Sequence, residues 1–196
     1  LSGSGSLSSL TQGNATISAL SVGNTVLQWS ITNGICTSNS PPLTIQVFGQ
    51  PGPLNAGPDQ TVCVSTASTV LAATAPTLGT ISWSMVAGLG SITGTSIATP
   101  TITGLNVAGS SQVQYLISNG PCQNSSTVNI TVFTSPTSPF AGTNQSLCAT
   151  TNSTTLAGNP ITVGTGTWSV VSGTATISNP SLNTTTVTGL GTGTTI

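Results

Sequence analysis

Apolar and polar residues alternate along much of this chain with the two-residue period of β-strands. The alternation is clear in Leu27–Ile31 and Val113–Ile117, and no segment shows the 3.6-residue period of an amphipathic helix. Glycine, asparagine and proline separate the apolar runs. In the middle of the chain the pattern predicts strands over Thr61–Val64, Thr69–Ala73, Thr80–Val86, Thr99–Leu105, Val113–Ser118 and Thr127–Phe133. Short strands with turn residues between them predict an all-β Greek-key sandwich.

The chain also repeats itself. The segment Ala56–Cys63 returns as Ala141–Cys148, 85 positions later, and the segment ending at Cys36 resembles the one ending at Cys122, 86 positions later. A period of this length exceeds that of solenoid repeats and is sufficient for a small domain. We therefore expect tandem domains, each a sandwich of its own.

Two proline-rich joints set the predicted boundaries, at 50–54 and 134–139. They divide the chain into the C-terminal part of one repeat (1–49), a complete repeat (55–133) and the N-terminal part of a third repeat (140–196). Proline favours extended, stiff linkers, so we expect the repeats to be arranged end to end.

Charge is nearly absent: the chain has no Lys, Arg or His, and Asp59 is its single acidic residue. General acid–base catalysis, carboxylate-pair hydrolysis and Ser–His–Asp chemistry all lack their groups, which predicts that the protein is not an enzyme. Nucleic acid and anionic membrane surfaces are not expected as partners, because both attract cationic side chains. The chain has no run of about 18 apolar residues, so membrane insertion of this segment is not expected.

No cofactor or metal is expected either. The four cysteines are far apart in sequence and Asp59 has no acidic neighbour, so neither zinc nor calcium has a ligand set. Asp59 is interpreted as a turn or capping residue. The tryptophans Trp29, Trp83 and Trp168 each lie in a strand pattern and are predicted to pack in the core rather than to stack on carbohydrate.

Four motifs carry a resemblance to a known class of repeat. They are Ala-Gly-Pro-Asp-Gln-Thr-Val-Cys at 56–63, Ser-Asn-Gly-Pro-Cys at 118–122, Gly-Thr-Trp-Ser-Val-Val-Ser-Gly at 166–173 and Val-Thr-Gly-Leu at 187–190. Together they resemble the PKD-like, immunoglobulin-like repeats of very large Bacteroidota surface proteins, including gliding adhesins. The resemblance implies tandem immunoglobulin-like sandwiches in an extracellular adhesin or filament exported by type IX secretion.

Cysteines of an extracellular chain are expected to pair, and two patterns are open. One joins Cys63 to Cys122 within a repeat, and the other joins Cys36 to Cys63 and Cys122 to Cys148 across the joints. The last strand carries the chain roughly 30 Å away before the next repeat starts, which is too far for a bond across a joint. We predict Cys63–Cys122, with Cys36 and Cys148 bonded to cysteines beyond the two ends of the sequence.

Six Asn-x-Ser/Thr sequons are candidates for glycosylation in a secreted protein. They start at Asn14, Asn124, Asn129, Asn144, Asn152 and Asn183.

Three functions are compatible with this sequence. The leading hypothesis is a structural or adhesive segment of a giant surface protein, whose partners are its neighbouring repeats. Strand edges without charged residues invite association, so self-association into filaments is also expected. The alternatives are a glycan-binding module, whose loops Asn119–Asn124 or Gly88–Gly94 would contact surface glycans, and a spacer in a secreted hydrolase.

Overall fold

The two-residue alternation is realised as β-strands throughout the computed structural model, which describes residues 3–11, 13–148, 150–193 and 195. The strands of the first repeat are β1 Ser6–Leu7, β2 Ile17–Ser18, β3 Gly23–Leu27, β4 Ser30–Asn33, β5 Cys36–Asn39 and β6 Leu43–Val47. Those of the complete repeat are β7 Gln60–Cys63, β8 Ala67–Val70, β9 Thr80–Ala87, β10 Ser91–Thr93, β11 Thr101–Leu105, β12 Gly109–Asn119 and β13 Cys122–Phe133. The third repeat has β14 Ser153–Ala157, β15 Thr176–Ile177 and β16 Thr184–Thr188.

The complete repeat is a sandwich of two sheets. One sheet has the strand order β10-β11-β8, and the other has the order β7-β13-β12-β9. This division, with the last two strands paired at the centre of the four-stranded sheet, is the arrangement of immunoglobulin-like and PKD-like domains. The predicted all-β immunoglobulin-like fold is confirmed.

The core of the complete repeat is formed by the inner faces of both sheets. On β12 the side chains of Val113, Tyr115 and Ile117 are fully buried, whereas the intervening residues are half-buried. The face predicted from the alternation is therefore the buried one. The buried apolar residues of this repeat are Ala56, Leu71, Trp83, Ile102, Leu105, Val113, Tyr115, Ile117, Val128, Ile130 and Val132.

The observed strands differ in places from the predicted ones, and β8 spans Ala67–Val70 where Thr69–Ala73 was predicted. The short strand β10 was not predicted, and β12 and β13 are much longer than their apolar cores. They form one hairpin in which Asn119 pairs with Cys122 across a tight turn, and Gly120 has the positive φ of 58° that this turn requires. The backbone pairing extends both strands into polar residues, which the alternation of apolar residues does not predict as strand.

The first and last strands of the complete repeat run parallel. The Ala56 amide donates to Ser126 Oγ, the Asn129 amide to Asp59 Oδ1, and the Val64 amide to the Phe133 carbonyl. The residue numbers of the bonded partners thus increase in the same direction along the segment that contains β7 and along β13. The start of the repeat lies beside the early part of β13, and Val64 lies beside its end.

The other repeats form smaller sheets. In the first repeat β3 pairs with β6 and β4 with β5, and in the third the order is β14-β16-β15. The chain divides into two compact units: one holds the chain up to Val62 together with Thr66–Val132, and the other holds Cys63–Ser65 and the chain from Phe133 onward. The joint predicted at 134–139 begins next to this division, whereas no division falls at 50–54. The three-part domain division stays a prediction.

Candidate functional site

The joint between the first and the complete repeat is held by polar side chains. We use "first joint" for Phe48–Gly52 and the residues of the complete repeat that contact this segment. Three side-chain amides donate to backbone carbonyls across it, each at 2.8 Å: Asn119 Nδ2 to Gly49, Gln50 Nε2 to Gln123, and Asn124 Nδ2 to Gly52. The linker is therefore bound along its length to the hairpin β12–β13.

Apolar packing reinforces the first joint. The ring of Phe48 lies against Gly120, where an added Cβ would stand 2.5 Å from ring carbons. Pro51 is buried, and Cys122 Sγ lies 3.6 Å from the Phe48 carbonyl oxygen. A glycine at the hairpin turn thus serves two purposes, since it permits the turn and makes room for the aromatic ring of the preceding repeat.

Asp59, the only charged side chain, connects the two terminal strands of the complete repeat. Its carboxylate accepts hydrogen bonds from the backbone N–H of Asn129 at 2.8 Å and from Asn129 Nδ2 at 3.3 Å. This contact spans two strands, so Asp59 is more than the local turn or capping residue expected from sequence. The third repeat has Asn144 at the equivalent position, which can also accept a hydrogen bond.

The tryptophan of the complete repeat is a core residue, as predicted. Trp83 is 4% exposed, donates from Nε1 to the Ile97 carbonyl at 2.9 Å, and stacks on Tyr115 with ring centroids 4.5 Å apart. Trp168 makes the equivalent bond to the Leu182 carbonyl, also at 2.9 Å. Trp29 is 43% exposed, so core packing does not hold for it among the described residues.

The predicted Cys63–Cys122 bond is not formed, and no cysteine is bonded to another within the described residues. The geometric premise was wrong. The repeat does begin beside the early part of β13, but Cys63 stands at the end of β7, next to Val64, which bonds Phe133. Cys122 is the first residue of β13 and Phe133 the last, a separation of roughly 36 Å for an extended strand. A disulfide tolerates only about 7 Å between Cα atoms.

Cys36 and Cys148 occupy the positions in their repeats that Cys122 and Cys63 occupy in the complete repeat. Cys36 follows the turn of the β4–β5 hairpin, where it pairs with Asn33 as Cys122 pairs with Asn119. Cys148 is exposed and lies 85 positions after Cys63. Their bonding to cysteines beyond the sequence stays a prediction.

The six sequons differ in how free their amides are. Asn124, Asn129 and Asn183 use Nδ2 as a donor to Gly52, Asp59 and Gly158 respectively. A sugar on that nitrogen would compete with each bond. Asn14, Asn144 and Asn152 are exposed, as is Asn183, but among the described residues their Nδ2 atoms make no such bond, so these three are the better candidates. Glycosylation itself stays a prediction.

Residues of both loops considered for glycan binding make hydrogen bonds within the fold. Asn119 and Asn124 belong to the first joint, and in the loop Gly88–Gly94 the Leu89 amide and carbonyl are both bonded to Ser111 Oγ, at 3.0 and 2.8 Å. Sequence reasoning missed these roles. The polar residues that carry them are Ser111, Asn119 and Asn124, and their partners are 22 to 72 residues away in sequence.

The part of the chain that the structure describes has no group of three or more His, Cys, Asp or Glu residues suited to a metal ion. Within the same residues there is no helix long and apolar enough to cross a bilayer.

Alkaline pH should destabilise the complete repeat through Tyr115. Burial raises the pKa of its phenol, whose hydroxyl donates to the Thr74 carbonyl at 2.8 Å. Because the unfolded chain loses this proton near its usual pKa of about 10 and the folded chain only at higher pH, stability should fall as pH rises above about 10. Urea unfolding followed by tryptophan fluorescence from about pH 7 to 11 measures this.

The matched variant is Tyr115→Phe. It should lose about 1–2 kcal/mol at neutral pH, through the missing hydrogen bond, and should unfold with a smaller alkaline decline. An equal decline in both proteins would contradict the assignment to Tyr115.

Comparison with known proteins gives partial structural likenesses. No family model matches the chain, and no curated protein matches it. The chain is similar to the PKD domain from the KIAA 1837 protein, with 22% identity over 46% of this chain and 96% of that one, at a TM-score of 0.39. It is also similar to extracellular domains 3–5 of Drosophila OTK (14% identity, 74% of this chain and 51% of that one, TM-score 0.38). A third likeness is to domains 4–9 of the surface layer protein SbsC (12% identity, 92% of this chain and 33% of that one, TM-score 0.30). The fold assignment rests on the strand order described above.

Proposed function

We propose that this chain is a non-catalytic, tension-transmitting segment of an extracellular repeat protein, structural or adhesive in role. The observation that carries the proposal is the parallel pairing of the first and last strands of the complete repeat. The chain enters the repeat beside the early part of β13 and leaves it at Phe133, the other end of that strand. A pull on the two ends therefore acts along the paired strands.

This geometry favours resistance to force. When neighbouring strands are pulled in opposite directions along their length, their hydrogen bonds must break together rather than one at a time. The bond from Asn129 to Asp59 and the bond from Val64 to Phe133 lie in this pair. A spacer that only separates two domains has no need of such a pairing.

The first joint supports the same role. Asn119 and Asn124 donate to two linker carbonyls, and Gln50 of the linker donates to the Gln123 carbonyl. Phe48 also packs on Gly120, so the linker is fixed and does not swivel freely. Tension then passes from one repeat to the next without first straightening a slack linker. This argues against the hydrolase-spacer alternative, and the use of Asn119 and Asn124 at the joint argues against glycan binding by that loop.

The wider setting follows from the resemblance of the repeat motifs. In this proposal the segment belongs to a large Bacteroidota surface protein exported by type IX secretion, with adhesion or gliding as the process it serves. Neighbouring repeats are its first partners. Surface glycans, if bound, would contact another part of such a protein.

Single-molecule pulling of the whole chain from its two ends tests the proposal. We expect the complete repeat to unfold in one step, with a contour gain of roughly 25 nm and at higher force than the two smaller parts. Asp59→Ala should lower the unfolding force, because it removes a bond worth about 1 kcal/mol and speeds unfolding roughly fivefold.

Asp59→Asn is the matched control, since asparagine can still accept the bond from the Asn129 amide, as Asn144 could in the third repeat. It should retain most of the unfolding force. Extension of the complete repeat at low force without a distinct peak would overturn the proposed role.

A further inference from the structure

The cysteines occupy two fixed positions of the repeat. We use "first-strand cysteine" for Cys63 and its equivalent Cys148, and "hairpin cysteine" for Cys122 and its equivalent Cys36. Cys63 ends β7 and Cys122 begins β13. Because β7 runs parallel to β13, the two kinds of cysteine lie at opposite ends of the complete repeat. A first-strand cysteine can therefore meet a hairpin cysteine only in a neighbouring repeat.

The first joint shows which group the hairpin cysteine approaches. Cys122 is half-buried, and its thiol donates to the carbonyl oxygen of Phe48 with Sγ 3.6 Å away. Phe48 directly follows β6, the last strand of the preceding repeat. The hairpin cysteine thus contacts the point at which the preceding repeat passes into the linker.

The first-strand cysteine lies beside the equivalent carbonyl group. Phe133 stands 85 positions after Phe48, and its carbonyl oxygen accepts a hydrogen bond from the Val64 amide at 2.9 Å. Cys63 is the residue immediately before Val64. At each joint between complete repeats, the same phenylalanine carbonyl then accepts two hydrogen bonds. One comes from the residue after a first-strand cysteine, and the other comes from the hairpin cysteine of the next repeat.

This shared acceptor brings the two kinds of cysteine together. When the two bonds follow the two lone-pair directions of the oxygen, the sulfur and the amide nitrogen are about 5–6 Å apart. The Cα of the first-strand cysteine is two covalent bonds from that nitrogen. A disulfide tolerates about 7 Å between Cα atoms, so rotation of the two side chains can bring the sulfurs into bonding distance.

We propose that each first-strand cysteine forms a disulfide with the hairpin cysteine of the next repeat. The partners of Cys63 and Cys122 are then residues of neighbouring repeats that lie outside the 196 positions. The pairs Cys36–Cys63 and Cys122–Cys148, which distance excludes, have the opposite order, because in them the hairpin cysteine belongs to the earlier repeat.

Formation of this bond is an oxidation. The two thiols lose two protons and two electrons as the S–S bond forms. In an extracellular protein the acceptor is the disulfide of a thiol oxidoreductase, which becomes a dithiol.

Such bonds would change the path of force through a series of repeats, and in this respect the inference deepens the proposed function and rests on it. Between one bond and the next, the load is carried by residues 122–148, which contain β13 and the joint 134–139. The 58 residues between Cys63 and Cys122 are bypassed. An oxidised series of repeats should therefore extend little, whereas a reduced series unfolds repeat by repeat.

The test uses a chain that contains both members of the pair. A second copy of Gly49–Phe133, inserted after Phe133, gives two complete repeats with the residues of the first joint between them. Variant A retains only Cys63 of the first complete repeat and Cys122 of the inserted copy. Variant B retains only Cys122 of the first complete repeat and Cys63 of the inserted copy. Serine replaces every other cysteine in both variants.

Variant A should form the disulfide in diamide, which takes up two hydrogen atoms for each bond, and variant B should not. Mass spectrometry and thiol titration should show variant A lighter by two hydrogen atoms and without thiols, whereas variant B retains both. The 196-residue chain holds no such pair, so all four of its thiols should titrate in monomeric protein. Equal oxidation of the two variants, or a bond within the 196-residue chain, would overturn the proposal.

A second arrangement keeps the test decisive when the duplicated chain does not fold. A copy of Asn55–Met85 placed before Leu1 supplies the first strand of the first repeat. Its copied Cys63 should form a disulfide with Cys122 across the first joint. Free thiols at both positions in a chain whose circular dichroism shows folded strands would contradict the inference.

Pulling separates this inference from the proposed function. Reduced variant A should show two contour gains of roughly 25 nm, one for each complete repeat, and oxidised variant A should show neither. Extension of the reduced chain at low force without distinct peaks contradicts the proposed function alone. Absence of the bond in folded variant A contradicts the inference alone.

Discussion

Replacing Trp83 with alanine should cost the complete repeat about 3–5 kcal/mol, which is most of the stability of so small a domain. The indole is 4% exposed, stacks on Tyr115 and satisfies the Ile97 carbonyl, so the substitution leaves both a cavity and an unpaired acceptor. Urea unfolding followed by circular dichroism should show the midpoint of this repeat lowered by about 2–3 M.

Trp29→Ala is the matched control for this substitution. The same side chain is removed, but Trp29 is 43% exposed, so the change should cost less than about 1 kcal/mol in dilute, monomeric protein. Equal losses for the two substitutions would show that the sandwich described here is not what determines stability.

Gly57→Ala should destabilise the same repeat by about 2–4 kcal/mol. Gly57 has a φ of 94°, which side chains rarely adopt, and an added Cβ would stand 2.7 Å from the Ala72 carbonyl oxygen. Both effects act on the segment that leads into β7, so the variant should also weaken the terminal-strand pair. The loss is measured by the same urea unfolding.

Alanine substitutions at two other glycines serve as controls for Gly57→Ala. Gly142, the repeat equivalent, has a φ of 89° but a looser contact of 3.1 Å to the Ala157 carbonyl oxygen, so alanine there should cost less. Gly52 has nothing within 4 Å, and Gly52→Ala should change stability by no more than about 0.5 kcal/mol. If Gly57→Ala were as mild as Gly52→Ala, the conformational reading of the repeated Ala-Gly motif would be wrong.

Much of the fold could be predicted because its signals are local. Alternation placed Val113, Tyr115 and Ile117 on a buried face, and the tight turn after Asn119 was marked by Gly120. Strand ends were harder, since the polar half of the β12–β13 hairpin is held by backbone pairing and not by burial.

The cysteines show where local reasoning stopped. The sequence indicated that Cys63 lies in the first strand of its repeat, and the start of that repeat was placed correctly beside the early part of β13. The strand runs parallel to β13, however, and carries Cys63 to the far end. Strand direction depends on a pairing between residues about 70 positions apart, which no local pattern records.

The candidate site depended even more on distant contacts. Asp59 was visible as the only charge, but its bond to Asn129 was not. Asn119 and Asn124 were noted as loop residues, and their bonds to Gly49 and Gly52 made them parts of a joint. An amide side chain can serve many partners, so its type alone does not identify the one it has.

The sequence by itself determined the all-β class, the repeat and the absence of Lys, Arg and His, because periodicity, self-similarity and composition are properties of the chain alone. Only the tertiary structure decided which strands are neighbours and in which direction they run. Those outcomes depend on hydrogen bonds and packing between residues far apart in sequence, since a strand carries the same alternation whatever it pairs with.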